Sequence, residues 1–280
     1  MFGTMRPKHW IKNALILAPF VFVSGNGIFR NVFGTSEALR LAAAFLLFCA
    51  ASSAAYSFND ATDAKADLKD PNKKGRTLST AEEVRKAALS ALILASATIA
   101  GAVFIWETGG KWIAAYIVVN ALYSLKLKEL ELIDVACVTS GFAFRILCGC
   151  EAIGAEPGAW MLATVCACAC YASFGKRLVK KKNGNSRIPD YDDEFLKQAM
   201  TVSLTLMIAF HAVWASSEGI AVAFGWRAWI LTGTATFAAA RYQLGFSKGE
   251  TDDPTARLYK DPVLAASCLT YAVCALSVAV

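Results

Sequence analysis

Long apolar runs alternate with shorter polar and charged segments along this chain. Nine apolar runs can be recognised, at roughly 13–29, 38–58, 87–106, 111–125, 132–150, 159–174, 200–217, 226–240 and 262–280. Each approaches the ~20 residues that an α-helix needs to cross about 30 Å of hydrocarbon. The pattern therefore predicts an all-α, polytopic membrane bundle of about nine transmembrane helices, formed by a single integral-membrane domain over residues 1–280.

The composition agrees with a membrane protein. Of the 280 residues 56% are hydrophobic, and the mean hydropathy is +0.44. Soluble domains rarely have such values. All nine cysteines lie within apolar runs, where they are expected to act as small apolar side chains and not as a zinc or disulfide framework.

The positive charges are distributed asymmetrically between the two sets of loops. If the N-terminus is cytoplasmic, the cytoplasmic segments hold 23 of the 28 Lys and Arg residues, against four on the opposite side. Those segments are 1–12, 59–86, 126–131, 175–199 and 241–261. Positive loops stay in the cytoplasm, so the sequence predicts a cytoplasmic N-terminus. The net charge of +6 follows from this topology and indicates no nucleic-acid partner.

The second apolar run ends in a cluster of carboxylates, 59-NDATDAKADLKDP-71. If the helix continues past Phe58, positions 60, 63, 67 and 70 fall within about 80° of arc on one face. Carboxylates on one stripe repel one another unless a cation lies between them, and Mg²⁺ commonly joins one or two carboxylates to substrate phosphates. The spacing predicts a Mg²⁺–diphosphate site, and the alternative is a solvated helix end.

Several motifs resemble one family of membrane enzymes. Asn59-Asp60-x-x-Asp63-x-x-x-Asp67 resembles the first aspartate-rich motif of the UbiA-like intramembrane transferases. Four further segments are similar to the decaprenyl-phosphate phosphoribosyltransferase subgroup: Arg6-Pro7-x-x-Trp10-x-Lys12-Asn13, Pro71-x-Lys73-Lys74-x-Arg76, Tyr123-Ser124-x-Lys126-Leu127-Lys128 followed by Ile133-Asp134-Val135, and Gly175-Lys176-Arg177. Two features depart from the family pattern. Arg76 is followed by Thr77 where proline is usual, and 190-DYDDE-194 lacks the spacing of a second aspartate motif.

The resemblance implies a fold, an activity and a set of site residues. The fold would be nine helices around a central cavity in the bacterial inner (plasma) membrane, with the active site facing the cytoplasm. The activity would be Mg²⁺- or Mn²⁺-dependent transfer of 5-phosphoribose from phosphoribosyl diphosphate to a polyprenyl phosphate with release of diphosphate, for synthesis of a cell-envelope or polysaccharide arabinose precursor. Catalysis would rest on Asp60, Asp63 and Asp67, which with Asn59 would be the metal ligands. The implied substrate-binding residues are Lys12, Asn13, Asn59, Lys73, Arg76, Tyr123, Lys126, Asp134, Arg145, Lys176 and Arg177.

The charges make chemical sense for such substrates, because donor and acceptor bring several phosphates to one place. Lys126 follows Tyr123 by one helical turn, so both are expected on one face. Arg145 lies about 16 Å along the helix from Asp134, near mid-membrane, where an ionisable residue is costly and faces a cavity or a partner. It would hold a phosphate there, or else pair with carbonyls or a carboxylate such as Glu151. His211 is expected to make a polar contact between helices.

Three other functions compete with phosphoribosyl transfer. A prenyltransferase that alkylates an aromatic acceptor would use the same metal site. A cation transporter would place its carboxylates near the midplane on broken helices, whereas here they cluster at one edge. An inactive structural homologue is the third alternative. A homo-oligomer and the roles of Asp190, Asp192 and Asp193 are left open by the sequence.

Overall fold

Every regular element in the part of the chain that the structure describes is a helix. This computed structural model describes residues 6–23, 36–68, 78–182, 189–248, 257–258 and 260–279. A 3₁₀ segment, Pro7–Leu17, runs directly into α1. The α-helices are α1 (Ala18–Val23), α2 (Ser36–Asp67), α3 (Ala81–Phe104), α4 (Gly110–Leu125), α5 (Ile133–Ala152), α6 (Ala159–Lys182), α7 (Asp193–Ser216), α8 (Glu218–Phe224), α9 (Arg227–Lys248) and α10 (Pro262–Ala279). Short 3₁₀ turns, Trp106–Thr108 and Leu127–Glu129, flank α4.

The helices confirm a polytopic, all-α membrane protein. Each apolar run of the sequence overlaps a helical segment. Among the described residues, five segments are long and apolar enough to cross a membrane: Ser36–Lys65, Ala81–Phe104, Ile133–Ala152, Ala159–Lys182 and Asp193–Ser216. The count of nine spans and the cytoplasmic N-terminus remain predictions.

Side chains at the polar ends of the helices determine where two of them begin. Thr80 caps α3 by accepting from the backbone N–H of Glu83, whose carboxylate accepts from the N–H of Thr80 in return. Asp192 caps α7 by accepting from the N–H groups of Glu194 and Phe195. Such caps satisfy backbone donors that the helix itself leaves unpaired. Both starts therefore lie at the boundary between a charged loop and an apolar helix.

Close helix contacts bring the N-terminal segment against the centre of the bundle. A Cβ atom at Gly149 would lie 2.1 Å from the carbonyl oxygen of Ile16, so only glycine permits this approach of α5 to the 3₁₀ segment. Ile16, Phe48 and Tyr116 are buried together there in one apolar core. The N-terminal segment is thus an integral part of the bundle.

Two more apolar cores lie among the described residues. One joins the C-terminal half of α6 to the residues after it, and contains Phe174, Tyr191 and Leu196. The other contains Trp214 and lies between α7, α8, α9 and α10.

His211 connects α7 to α9 and α10. Its ring nitrogens lie 2.9 Å from Thr232 Oγ1 and 3.1 Å from the hydroxyl oxygen of Tyr271. The predicted polar contact between helices is confirmed, and it satisfies both ring nitrogens in an apolar setting.

Candidate active site

The carboxylate stripe lies on the inner face of α2, which continues without a break to Asp67 as the sequence predicts. Asp60 and Asp67 are only 8% and 7% exposed, whereas Lys65 on the opposite side is exposed. A solvated helix end would expose its carboxylates, so the burial favours the functional interpretation. Asp70 lies outside the described residues.

Asp60 is paired with the segment that precedes the first helix. Arg6 Nη2 lies 2.6 Å from Asp60 Oδ1, and its guanidinium stacks over the Tyr56 ring at 5.3 Å. The backbone of Arg6 is left-handed, with φ 48°, a conformation that costs energy for a residue with a side chain. Sequence reasoning placed Arg6 in a motif but not in the site; the structure brings it to the first aspartate.

Asp63 is paired with a lysine that follows α4. Lys128 Nζ lies 2.5 Å from Asp63 Oδ1, with the two side chains 20% and 17% exposed. Asn59 donates to Asp63 Oδ2 at 3.1 Å, and the Ser124 hydroxyl lies 3.5 Å from Asn59 Oδ1. The end of α2 is therefore held against the α4–α5 connection by polar contacts. The sequence motif contains Lys128, but helical spacing gave no reason to select it.

The predicted alignment of Lys126 with Tyr123 is wrong, because α4 ends at Leu125 and Lys126 leaves the helix with φ −148° and ψ −42°. Lys126 is 73% exposed and pairs with Glu129 at 2.9 Å. This hydrogen bond raises the pKa of Lys126 and lowers that of Glu129. A substrate-binding role for Lys126 remains a prediction, and the geometry favours Lys128 in its place.

The stripe fits a hard divalent cation in its chemistry. Asn59, Asp60, Asp63 and Asp67 offer oxygen donors, and the ion pairs that Asp60 and Asp63 form show that both attract positive charge. Within the described ranges no three His, Cys, Asp or Glu side chains converge closely enough to hold a metal ion by themselves. A cation here would complete its coordination with substrate phosphate oxygens, which is the usual arrangement for Mg²⁺.

A buried ion pair forms the second part of the site. Arg177 Nε on α6 donates to Asp134 Oδ2 on α5 at 2.5 Å, and the two side chains are 6% and 3% exposed. Arg177 Nη1 also donates to the carbonyl oxygen of Ser173 at 2.8 Å, and the Tyr191 hydroxyl donates to Asp134 Oδ1 at 2.6 Å. Sequence reasoning selected Asp134 and Arg177 separately; the structure joins them and adds Tyr191.

The connection between α4 and α5 joins the two parts. Lys128 in this connection contacts Asp63, and the carbonyl oxygen of Leu130 accepts from the backbone N–H of Asp134 at 3.0 Å. The carboxylate stripe and the buried ion pair are therefore both held by residues 128–134. Tyr123 is half-buried on α4, and its role in substrate binding remains a prediction.

Arg145 is 4% exposed and makes polar contacts between helices. Its Nε donates to Asn13 Oδ1 at 2.8 Å and its Nη1 to the carbonyl oxygen of Gly141 at 2.6 Å. The guanidinium also lies over the Tyr116 ring at 4.8 Å. Glu151 instead pairs with Lys111 at 2.8 Å. These contacts correspond to the structural alternative, so phosphate binding by Arg145 and Asn13 remains a prediction.

The remaining residues that the sequence selected differ in their exposure and contacts. Lys12 and Lys176 are half-buried, while Lys73 and Arg76 lie outside the described residues. Asp192 is the N-cap of α7, and hydrogen bonds from backbone N–H groups lower its pKa. Asp193 lies 3.3 Å from Lys181, and Asp190 is exposed. Asp192 and Asp193 thus make structural contacts at the start of α7.

Comparison with known proteins agrees with these motifs. The UbiA prenyltransferase family matches residues 17–260. The decaprenyl-phosphate phosphoribosyltransferase of Corynebacterium glutamicum is 28% identical over 98% of this chain and 85% of its own length. The protein of the same name from Mycolicibacterium smegmatis is 29% identical over 93% of this chain and 86% of its own length.

Solved structures share the fold. A UbiA homolog from Archaeoglobus fulgidus, bound to GPP and Mg²⁺, superposes with a TM-score of 0.72 at 16% identity, over 99% of this chain and 98% of that one. At this identity the likeness concerns the fold alone, whereas the family match extends over most of the sequence. The chain belongs to the UbiA prenyltransferase family.

Proposed function

We propose that this chain transfers 5-phosphoribose from phosphoribosyl diphosphate to a polyprenyl phosphate and releases diphosphate. The observation that carries the proposal is the similarity, over nearly the whole chain, to relatives named decaprenyl-phosphate phosphoribosyltransferase. The ion pairs at the site support it, because Arg6 and Lys128 supply cations beside the stripe and Arg177 supplies a third beside Asp134. A donor with phosphates at both ends of a sugar needs more cations than a prenyl diphosphate does.

The residues of the stripe would bind and neutralise the leaving diphosphate. Asp60, Asp63 and Asp67, with Asn59, would hold Mg²⁺, which as a Lewis acid supplies charge stabilisation to the diphosphate oxygens. Lys128 and Arg6 lie within hydrogen-bond distance of Asp63 and Asp60. From there they are positioned to donate to phosphate oxygens at the same place. Mn²⁺ has the same preference for oxygen ligands and would serve in its place.

The bond changes are simple for this pair of substrates. An oxygen of the lipid phosphate attacks C1 of the ribose, the bond from C1 to the diphosphate oxygen breaks, and diphosphate leaves with the electron pair. The nucleophile is already an anion, so it needs no general base. The work of the protein is to bring anions together and hold them in line. A single displacement inverts C1, so an α-linked donor gives a β-linked lipid product.

Aromatic prenyl transfer is the second candidate, because a solved relative of the same fold was bound to GPP and Mg²⁺. That reaction also requires carboxylates that hold a metal–diphosphate, so the stripe serves both. The two differ in the group transferred, and this difference is what an assay must measure.

The site is proposed to face the cytoplasm of a bacterial cell, in the inner membrane. Three features support this orientation. One set of loops has an excess of Lys and Arg. The stripe forms the C-terminal end of α2, and Lys128 and Arg177 likewise lie at the C-terminal ends of their segments. A water-soluble, highly charged donor is made in the cytoplasm and would reach the site from there.

Diphosphate release tests the proposal. Purified protein in detergent is given phosphoribosyl diphosphate, decaprenyl phosphate and Mg²⁺, and released diphosphate is measured. We expect release that depends on the lipid phosphate and stops with excess chelator. The same protein with Asp63→Asn is the control. Release without lipid phosphate, or none with both substrates present, contradicts the proposal.

A further inference from the structure

The loop before α7 reaches into the buried ion pair through one side chain. Tyr191 is 3% exposed. Its hydroxyl donates to Asp134 Oδ1 at 2.6 Å and accepts from the backbone N–H of Leu132 at 2.5 Å. No feature of the sequence singled out this residue beyond its place in the acidic cluster.

The backbone that Tyr191 holds is strained. Leu132, the residue before α5, has φ 61° and ψ −37°, which is unfavourable for a leucine and persists only where neighbours enforce it. The hydrogen bond from its N–H to the tyrosine oxygen is one such constraint. Asp134 follows two residues later, so this contact and the one to the carboxylate together set the position of Asp134.

Asp134 in turn orients Arg177. Its Oδ2 accepts from Arg177 Nε, and the Ser173 carbonyl oxygen accepts from Nη1. Nη2 donates to none of the described residues. It is also not one of the buried side-chain atoms that lack a hydrogen-bond partner, so it is accessible from outside the protein interior. The guanidinium is therefore fixed on two sides and keeps one donor for a ligand, in a side chain that is itself 6% exposed.

The ring of Tyr191 is anchored independently of its hydroxyl. It stacks on Phe195, with centroids 5.8 Å apart and an interplanar angle of 2°, and meets Phe174 edge-on at 6.4 Å. Lys181 donates to its carbonyl oxygen. Burial, and then the bond to Asp134, raises the pKa of Tyr191, so the hydroxyl remains a donor at neutral pH.

We infer that Tyr191 is a positioning residue for phosphate binding: through Asp134 it holds Arg177 with Nη2 directed at a phosphate group of the donor. This rests on the proposed function, which supplies the phosphate-bearing substrate. The stripe and the ion pair are joined by one short segment, because Lys128 contacts Asp63 and the N–H of Asp134 donates to the carbonyl oxygen of Leu130 at 3.0 Å. The donor would thus extend from the stripe to Arg177.

Tyr191→Phe tests the inference, because it removes the hydroxyl and keeps the stacked ring. The matched control is Tyr171→Phe. Tyr171 is 2% exposed and belongs to the same apolar core, but its hydroxyl donates to the Ala239 carbonyl oxygen at 3.1 Å, away from the ion pair. Tyr191→Phe loses the two hydrogen bonds of its hydroxyl, to Asp134 and from Leu132, and Tyr171→Phe loses the one to Ala239.

The measurement is the KM for phosphoribosyl diphosphate at saturating lipid phosphate, beside kcat and the thermal unfolding midpoint. We expect Tyr191→Phe to raise the donor KM about tenfold, as the loss of a charge-assisted contact would, and Tyr171→Phe to leave it unchanged. In Arg177→Lys, where the fixed guanidinium is absent, adding Tyr191→Phe should raise the KM by less than about twofold, because residues that act through one another are not additive.

The outcomes separate this inference from the function itself. If the wild-type protein turns over and Tyr191→Phe has an unchanged KM for the donor, the inference is overturned and the proposed function stands. The same holds if Tyr171→Phe raises the donor KM as much as Tyr191→Phe does, or if the effects of Tyr191→Phe and Arg177→Lys on the donor KM are fully additive. A lowered unfolding midpoint with an unchanged KM assigns Tyr191 a purely structural role and also overturns it. No turnover by the wild-type protein overturns the proposed function and this inference with it.

Discussion

Lys128 and Lys126 form a natural pair for testing which cation serves the site. They are two residues apart and carry the same charge, but only Lys128 contacts the stripe, at 2.5 Å from Asp63. Lys126 pairs with Glu129 on the surface. The two substitutions Lys128→Ala and Lys126→Ala therefore change the net charge equally and differ in geometry alone.

The structure gives the expected sizes. A charge-assisted contact to phosphate from a side chain that is 20% exposed is worth roughly 1.5–3 kcal/mol. Its loss in Lys128→Ala should therefore lower kcat/KM for the phosphoribosyl donor about tenfold to a hundredfold. Lys126 is 73% exposed and its partner Glu129 57%, and exposed ion pairs of this kind contribute little. Lys126→Ala should change kcat/KM by less than about threefold.

The assay is transfer of labelled phosphoribose to decaprenyl phosphate by matched amounts of folded protein. Chromatography in detergent confirms that each variant is folded. Equal losses in both variants would show that net positive charge alone matters. A large loss in Lys126→Ala with little in Lys128→Ala would refute the geometry and restore the helical alignment of Lys126 with Tyr123.

Three further outcomes are expected. Asp60→Asn and Asp63→Asn should each lower turnover by a factor of about 100 or more, because metal stabilisation of charge is worth several kcal/mol; full turnover in excess chelator would refute a metal requirement. Asn13→Ala removes an acceptor of the buried Arg145 guanidinium and should lower the free energy of unfolding by about 1.5–3 kcal/mol, measured by thermal unfolding in detergent; an unchanged midpoint with a raised donor KM would instead show that Asn13 binds substrate. Single cysteines at Lys74 and Lys181, in a background without the nine native cysteines, should be shielded from an impermeant thiol reagent outside intact cells; prompt labelling of both would reverse the topology.

The periodicity of the sequence was sufficient to predict the relative positions of residues that lie on one helix. The apolar runs predicted the helices, and a period of 3.6 placed Asp60, Asp63 and Asp67 on one face because α2 continues past Phe58. The same rule failed at Lys126, where α4 ends without a glycine or proline to mark the end. The local sequence therefore carries none of the usual signals for this helix end.

Pairings between distant segments could not be predicted from spacing. Asp134 and Arg177 are 43 residues apart, and Arg145 and Asn13 are 132 apart. Their contacts depend on how the helices pack. The sequence indicated that an arginine at membrane depth needs a partner, but it suggested Glu151, which in the structure pairs with Lys111. Tyr191 gave no signal at all, since a tyrosine between aspartates is typical of an exposed loop.

A competition between donors tests the central claim most directly. Purified protein with Mg²⁺ is given phosphoribosyl diphosphate and GPP at equal concentration, together with decaprenyl phosphate and an aromatic acceptor such as 4-hydroxybenzoate, and the lipid products are identified by mass spectrometry. The account predicts decaprenyl phosphate extended by one phosphoribosyl group, with the acceptor ring unmodified. A prenylated ring without phosphoribosylated lipid would contradict it.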